Sequence, residues 1–139
     1  MMNFMRVEFD GVLYALLFVN QPLQEGAHFL TPDSMPLQLG FLVHPSGKSI
    51  KPHAHRHQDK LVKSTYEVLY IIEGRIELQF YSLEGRLLGT RQMSSGDAVI
   101  LMDGGHGLKV LESCRILEVK QGPYFGTDVE KLFFTDVQS

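Results

Sequence analysis

Tyr66-Glu67-Val68-Leu69-Tyr70-Ile71-Ile72-Glu73-Gly74-Arg75-Ile76-Glu77-Leu78-Gln79-Phe80-Tyr81 is the stretch whose reading decides the fold. It is rich in β-branched and aromatic residues, and it alternates with a period of two, as a pleated strand requires. In Arg75–Tyr81 the residues Ile76, Leu78 and Phe80 fall on one face and Arg75, Glu77 and Gln79 on the other, so the first set is expected to pack inward. In Tyr66–Ile72, Glu67 shares a face with Leu69 and Ile71, while Val68, Tyr70 and Ile72 occupy the opposite face. Neither side of that run is clearly solvent-facing. Glu73-Gly74 joins the two runs closely enough for a tight hairpin.

The same pattern extends outward in both directions. Val12–Val19, Leu37–His44, Ser49–His55, Leu87–Met93, Asp97–Met102, Gly107–Leu111 and Arg115–Lys120 read as further strands. Pro45-Ser46-Gly47, Glu84-Gly85, Ser94-Ser95-Gly96 and Asp103-Gly104-Gly105 punctuate them. No long window carries a helical stripe, and only Asp128–Phe134 suggests a turn of helix. Gln121-Gly122-Pro123-Tyr124 reads as a turn that can fold over a barrel opening. Short antiparallel strands without helical connectors predict an all-β sandwich or closed barrel. With 139 residues, one domain is expected: an N-terminal arm and strand over 1–36, a core over 37–120 and a tail over 121–139.

Composition narrows the function. A formal net charge of −3 argues against nucleic acid as the main partner. The apolar run Val12–Val19 is too short to cross a membrane and follows Glu8 and Asp10, so no membrane partner and a cytoplasmic location are expected. Cys114 is the only cysteine, which excludes an internal disulfide, and it sits in a strand as a small hydrophobe.

The chemistry-bearing residues form a pattern of their own. Pro52-His53-Ala54-His55-Arg56-His57 places three of the six histidines at alternate positions, so in an extended chain their imidazoles project to one face. Neutral imidazole is the commonest protein ligand for first-row transition metals. Lys48, Lys51, Arg56, Lys60 and Lys63 surround these histidines and offer a basic rim for an anionic small molecule. Glu67 heads an apolar face, where an ionised carboxylate needs a cation or hydrogen-bond donors. His106 follows Asp103-Gly104-Gly105, whose glycines permit a tight bend and leave room around the ring. Glu118 and Lys120 share a strand face and read as a cross-strand charge pair.

Taken together, these residues resemble the cupin superfamily of small jelly-roll barrels. Gly47 stands five residues before His53-Ala54-His55, and Glu67 stands six residues before Gly74, as in the first cupin motif. Gly96-Asp97, the strand Val99-Ile100-Leu101 and Asp103-Gly104-Gly105-His106 follow the second. Eleven residues, 56–66, enlarge the loop between His55 and Glu67, where the family pattern has three or four. Met102 stands at the usual proline position, and His106 comes one residue early relative to Gly104.

The resemblance implies a double-stranded β-helix (jelly-roll) barrel and a metal held by His53, His55, Glu67 and His106. Such a set suits Fe(II), Mn(II), Ni(II), Co(II) or Zn(II) and leaves positions open for substrate. It implies a metal-dependent protein that binds and transforms a small polar or anionic molecule, with isomerase, lyase and dioxygenase chemistry all open. His57, Tyr66 and Tyr70 are the candidate catalytic residues. Two alternatives stand beside this reading. Pro52-His53-Ala54-His55 also looks like the His-Ala-His segment of cupin-type nucleotide-sugar isomerases, which need no metal; the other alternative is a non-catalytic small-molecule binder. A homodimer is expected, since barrels of this kind pair through edge strands or an N-terminal arm.

Overall fold

A computed structural model of the chain describes residues 2–134; the last part of the C-terminal tail, 135–139, lies outside them. Eight strands follow in order: β1 (Phe4–Phe9), β2 (Val12–Phe18), β3 (Gly26–Phe29), β4 (Gly40–Val43), β5 (Glu67–Tyr81), β6 (Leu87–Ser94), β7 (Ala98–Leu101) and β8 (Gly105–Lys120). A single helical turn, α1 (Thr127–Glu130), comes after them. Six strands form one antiparallel sheet in the order β1-β2-β7-β5-β6, with β8 along the other edge of β5; β3 and β4 form a separate pair. The fold is predominantly β, and the large sheet curls into a half-barrel.

Period-two alternation explains why this sheet carries apolar residues on both faces. Leu17, Leu69, Ile71, Val99 and Leu101 point to the inner, concave side, where they pack with Ile76, Leu78, Phe80 and Met93. Their neighbours Leu16, Phe18, Val68, Ala98 and Ile100 point outward into a second cluster. The β3–β4 pair and its flanking loops cover that outer face, with Phe41 lying 4.2 Å from Phe18 between ring centroids. Tyr66 and Tyr70 belong to the outer cluster. The two-sided apolarity of Val68–Ile71 therefore reflects two layers of packing.

β5 is the organising strand. Its first residues, Glu67–Tyr70, pair with β7, and its last, Arg75–Tyr81, pair with β6. β8 follows it along its whole length. The expected hairpin at Glu73-Gly74 is absent: the chain runs straight through as one strand, and the two glycine-flanking runs are halves of it. Gly74 instead marks a bend. It holds φ +89°, and three register shifts against β8 cluster at residues 71–76. Bulges and glycines of this kind are how a sheet acquires curvature. An added Cβ at Gly74 would collide with the backbone carbonyl of Ser113, so the close approach of the two strands also demands glycine.

Other expectations are corrected in detail. Gly107–Leu111 and Arg115–Lys120 are parts of the continuous β8. Ser49–His55 is not a strand: residues 44–66 carry no regular structure, and every residue from His44 to Thr65 is exposed. Its few apolar residues cannot anchor a strand against either core. Only Gly40–Val43 of the Leu37–His44 run pairs. β1 and β3 were not anticipated. β1 buries only Val7, yet it is tied to β2 by Asp10-Gly11, both at positive φ, which is the two-residue turn that matches strand twist.

Asp97 shows how a turn is locked. Its carboxylate is 7% exposed and accepts hydrogen bonds from the backbone N–H of Asn20 at 2.7 Å and of Ser94 at 2.8 Å. One side chain thus ties the β6–β7 turn to the end of β2.

Candidate binding cavity

The curl of β5 and β8 determines which residues meet. Glu67, the first residue of β5, is opposite Lys120 at the end of β8, whereas His106 near the start of β8 is opposite Phe80. On a straight ribbon these positions would lie roughly 40 Å apart, at about 3.3 Å per residue. In the curled sheet, His106 Nε2 lies 3.8 Å from Glu67 Oε1. The connection from β7 supplies the geometry: Leu101 pairs with Glu67, and the Met102–Gly104 turn then returns the chain to β8. Gly104 holds φ +69°, and an added Cβ there would strike the Tyr14 ring. At Gly105 an added Cβ would strike the Phe134 ring. The double glycine therefore lets the chain turn into β8 while the Tyr14 and Phe134 rings pack directly on its backbone.

Glu67 and His106 stand at the head of a cavity of about 520 Å³. Glu118, Lys120, Gln121 and Lys131 bring further polar groups to its wall, and Leu69, Leu83, Leu108, Leu132 and Phe134 form its apolar part. Gln121 and Tyr124, the two ends of the Gln121–Tyr124 turn, line this cavity. Gln121 is fixed by exchanging hydrogen bonds with the backbone of Tyr66, its N–H donating to the Tyr66 carbonyl and its side-chain oxygen accepting from the Tyr66 N–H. The segment from Tyr124 to Phe134 supplies one wall, ending with Phe134 against Tyr81.

The electrostatics follow from burial and from the company these groups keep. The Glu67 side chain is 16% exposed, and desolvation raises its pKa to about 7; its hydrogen bond with Glu118 and repulsion from that carboxylate add to the rise, while Lys120 and Lys131 oppose it. Glu118 moves the other way because the Glu67 hydrogen bond favours its ionised form, with Lys120, Lys131 and His106 assisting against desolvation. The pair therefore shares a proton, held mainly on Glu67. Desolvation lowers the pKa of His106, with Lys131 adding to the effect and Glu118 opposing it. With its pKa at about 7, Glu67 is roughly half protonated at neutral pH and stands beside a mostly neutral imidazole.

Of the residues singled out in the sequence, the structure brings together Glu67 and His106. His53 and His55 lie on the exposed segment, with ring centroids 5.4 Å apart, and do not line the cavity. The Nδ1 of His53 is 2.8 Å from the Lys51 carbonyl. His57 is exposed on the same segment. Tyr66 and Tyr70 pack on the outer face of the sheet. Among the described residues, no three or more His, Cys, Asp or Glu are grouped so as to hold a metal ion. As placed, the four expected ligands do not converge, and Glu67 and His106 alone supply two donors.

Glu118 and Lys131 were missed as site residues. The parity of Glu118 with Ile116, an inward neighbour on β8, was the available signal; Lys131 had none, because its place depends on how the tail crosses the opening. No helix is long and apolar enough to cross a membrane among the described residues. In comparisons with known proteins, no family model, no curated protein and no solved structure matches the chain.

Proposed function

We propose that the chain binds a small polar or anionic molecule in this cavity and transforms it by acid–base chemistry at Glu67 and His106. The observation that carries the reading is the 3.8 Å approach of a carboxyl and an imidazole at the head of a 520 Å³ cavity, their ionisation pushed in opposite directions. Pairs of titratable groups set apart in this way supply an acid and a base at one pH. Neutral His106 takes the proton from the carbon next to a carbonyl while protonated Glu67 delivers one to the carbonyl oxygen, which gives an enediol. Ionised Glu67 then takes the proton of the neighbouring hydroxyl as protonated His106 returns one to the former carbonyl carbon, which completes an isomerisation. Glu118 acts as a positioning residue that keeps the proton on Glu67. The curled half-barrel and the paired motif spacings support a cupin-like jelly roll as the scaffold.

The test is a screen of hydroxy-carbonyl substrates, including nucleotide sugars, for turnover or proton exchange with deuterated water. Activity lost in both Glu67→Gln and His106→Ala, with binding retained in the first, supports the reading. Activity unchanged by either substitution sinks it.

A second reading is favoured by the same adjacency. Glu67 and His106 are two of the four ligands of the cupin pattern, and an ion there would be completed if the 44–65 segment brought His53 and His55 across the opening. That centre would supply Lewis-acid chemistry to the same small molecule. Stoichiometric transition metal in wild type and none in His53→Ala would favour it; equal metal in both would exclude these ligands.

A further inference from the structure

The polar head of the cavity is only part of its surface. Leu83, Leu108 and Leu132 line it while remaining 65%, 44% and 71% exposed, so the wall leaves large apolar side chains in water. Leu108 lies on the inner face of β8, two residues beyond His106, and Phe134 closes the same side against Tyr81 and Gly105. Unburied apolar surface that lines a cavity marks a binding site rather than a folding defect. Two cations flank the polar end, Lys120 and Lys131. The three glutamates that line the cavity, Glu67, Glu118 and Glu130, are already engaged. Glu130 accepts hydrogen bonds from the Phe125 N–H at 3.2 Å and the Thr65 hydroxyl at 3.4 Å, and Glu118 bonds with Glu67. Lys120 Nζ lies 5.2 Å from the Tyr124 ring centroid, and both lysines act on Glu118 through space. Yet among the described residues neither ammonium group is in a hydrogen bond or close ion pair, so both keep N–H donors for an anion.

We infer that the ligand of this cavity is an amphiphilic monocarboxylate, its carboxylate held by Lys120 and Lys131 beside Glu67 and His106 and its apolar body lying against Leu83, Leu108, Leu132 and Phe134. This rests on the cavity being the working site, and it narrows the small polar or anionic molecule to one with an apolar chain or ring. It also gives the tail a task. Lys131, Leu132 and Phe134 come from one short stretch and contact both ends of such a ligand, so the tail closes over it.

Decanoate, kept below its micelle concentration, is the probe, titrated into the full-length protein by calorimetry and followed on ¹⁵N-labelled protein by NMR. Saturable one-to-one binding is expected, at least about a hundredfold tighter than propanoate because the longer chain buries apolar area. Lys120→Ala with Lys131→Ala should weaken decanoate about tenfold or more, and decanol should bind as weakly to wild type as decanoate binds to that double variant. Leu108→Ser, at an exposed position that folding tolerates, should weaken decanoate but leave propanoate unchanged. Propanoate binding as tightly as decanoate, with shifts at His106, would overturn the amphiphile and leave the polar-molecule reading standing. Absence of saturable decanoate binding, or binding indifferent to both the lysine and the Leu108 variants, would overturn the inference as well.

Discussion

Gly74→Ala probes the bend on which the site depends, and Gly11→Ala provides its control. Both glycines adopt positive φ, +89° and +77°, so both substitutions force an L-residue into a region it disfavours. That strain costs of order 1–3 kcal/mol, offset by about 0.4–1 kcal/mol from the stiffer unfolded chain. At Gly11 nothing lies within 4 Å of an added Cβ, so the conformational cost stands alone. At Gly74 the Cβ would meet the Ser113 carbonyl and would lie 2.6 Å from the Cys114 Cα, both backbone atoms that cannot rotate aside. Overpacking adds roughly 1–3 kcal/mol where neighbours must shift, and a backbone clash belongs at the upper end. Urea unfolding should therefore give a loss of about 1–2 kcal/mol for Gly11→Ala and about 3–5 kcal/mol for Gly74→Ala. Surviving folded Gly74→Ala protein should also have a less curled ribbon, with His106 farther from Glu67 and a lower Glu67 pKa. Equal losses at the two positions would refute the claim that β5 and β8 bend through a contact only glycine allows.

Further outcomes follow from the same structure. Replacing Glu67 by Gln removes a group whose folded pKa, about 7, exceeds its unfolded value of 4.5. The folded state holds that proton more tightly, so the contribution of Glu67 is most favourable below pH 4.5 and declines as pH rises toward 7. Relative to wild type, Glu67→Gln should gain up to about 3 kcal/mol between pH 4.5 and 7.5, less whatever the lowered Glu118 pKa returns. A gain that does not vary with pH would contradict this. His106 has the opposite sign: its lowered pKa means the unfolded state binds more protons, so this contribution is lost as pH falls below about 6.5, and His106→Gln should flatten that acid-side decline in thermal melts. Asp97→Ala should cost about 2–4 kcal/mol in chemical denaturation, since it leaves the Asn20 and Ser94 N–H groups without the carboxylate that accepts from them.

Much of this architecture was legible in the sequence because β-strand periodicity records burial directly. The two faces of Val68–Ile71 could be divided residue by residue, and they separate into the two apolar clusters as the alternation requires. What the alternation cannot show is whether a Glu-Gly pair turns the chain back or merely bends it. At Glu73-Gly74 the answer lay in Ser113 and Cys114, about forty residues away, whose approach makes the glycine a bend. The same limit applies to the site. Glu67 and His106 were identified by type and spacing, yet their meeting depends on the curl of β5 and β8. The histidine run was the most conspicuous local signal, but residues 44–65 lack apolar anchors on either core, so alternation alone did not make them a strand. The tail was least legible, because its place over the cavity comes from Phe134 packing on Tyr81 and from Gln121 pairing with Tyr66.

The most direct test of the central claim is a ¹³C NMR titration of the Glu67 side-chain carboxyl in wild-type protein. With Glu67 desolvated beside His106 and sharing a proton with Glu118, its midpoint should fall near pH 7, with a matching perturbation of His106 ring resonances over the same range. A midpoint near 4.5, the ordinary value for a glutamate in water, with His106 unresponsive, would show that the two groups do not share a cavity.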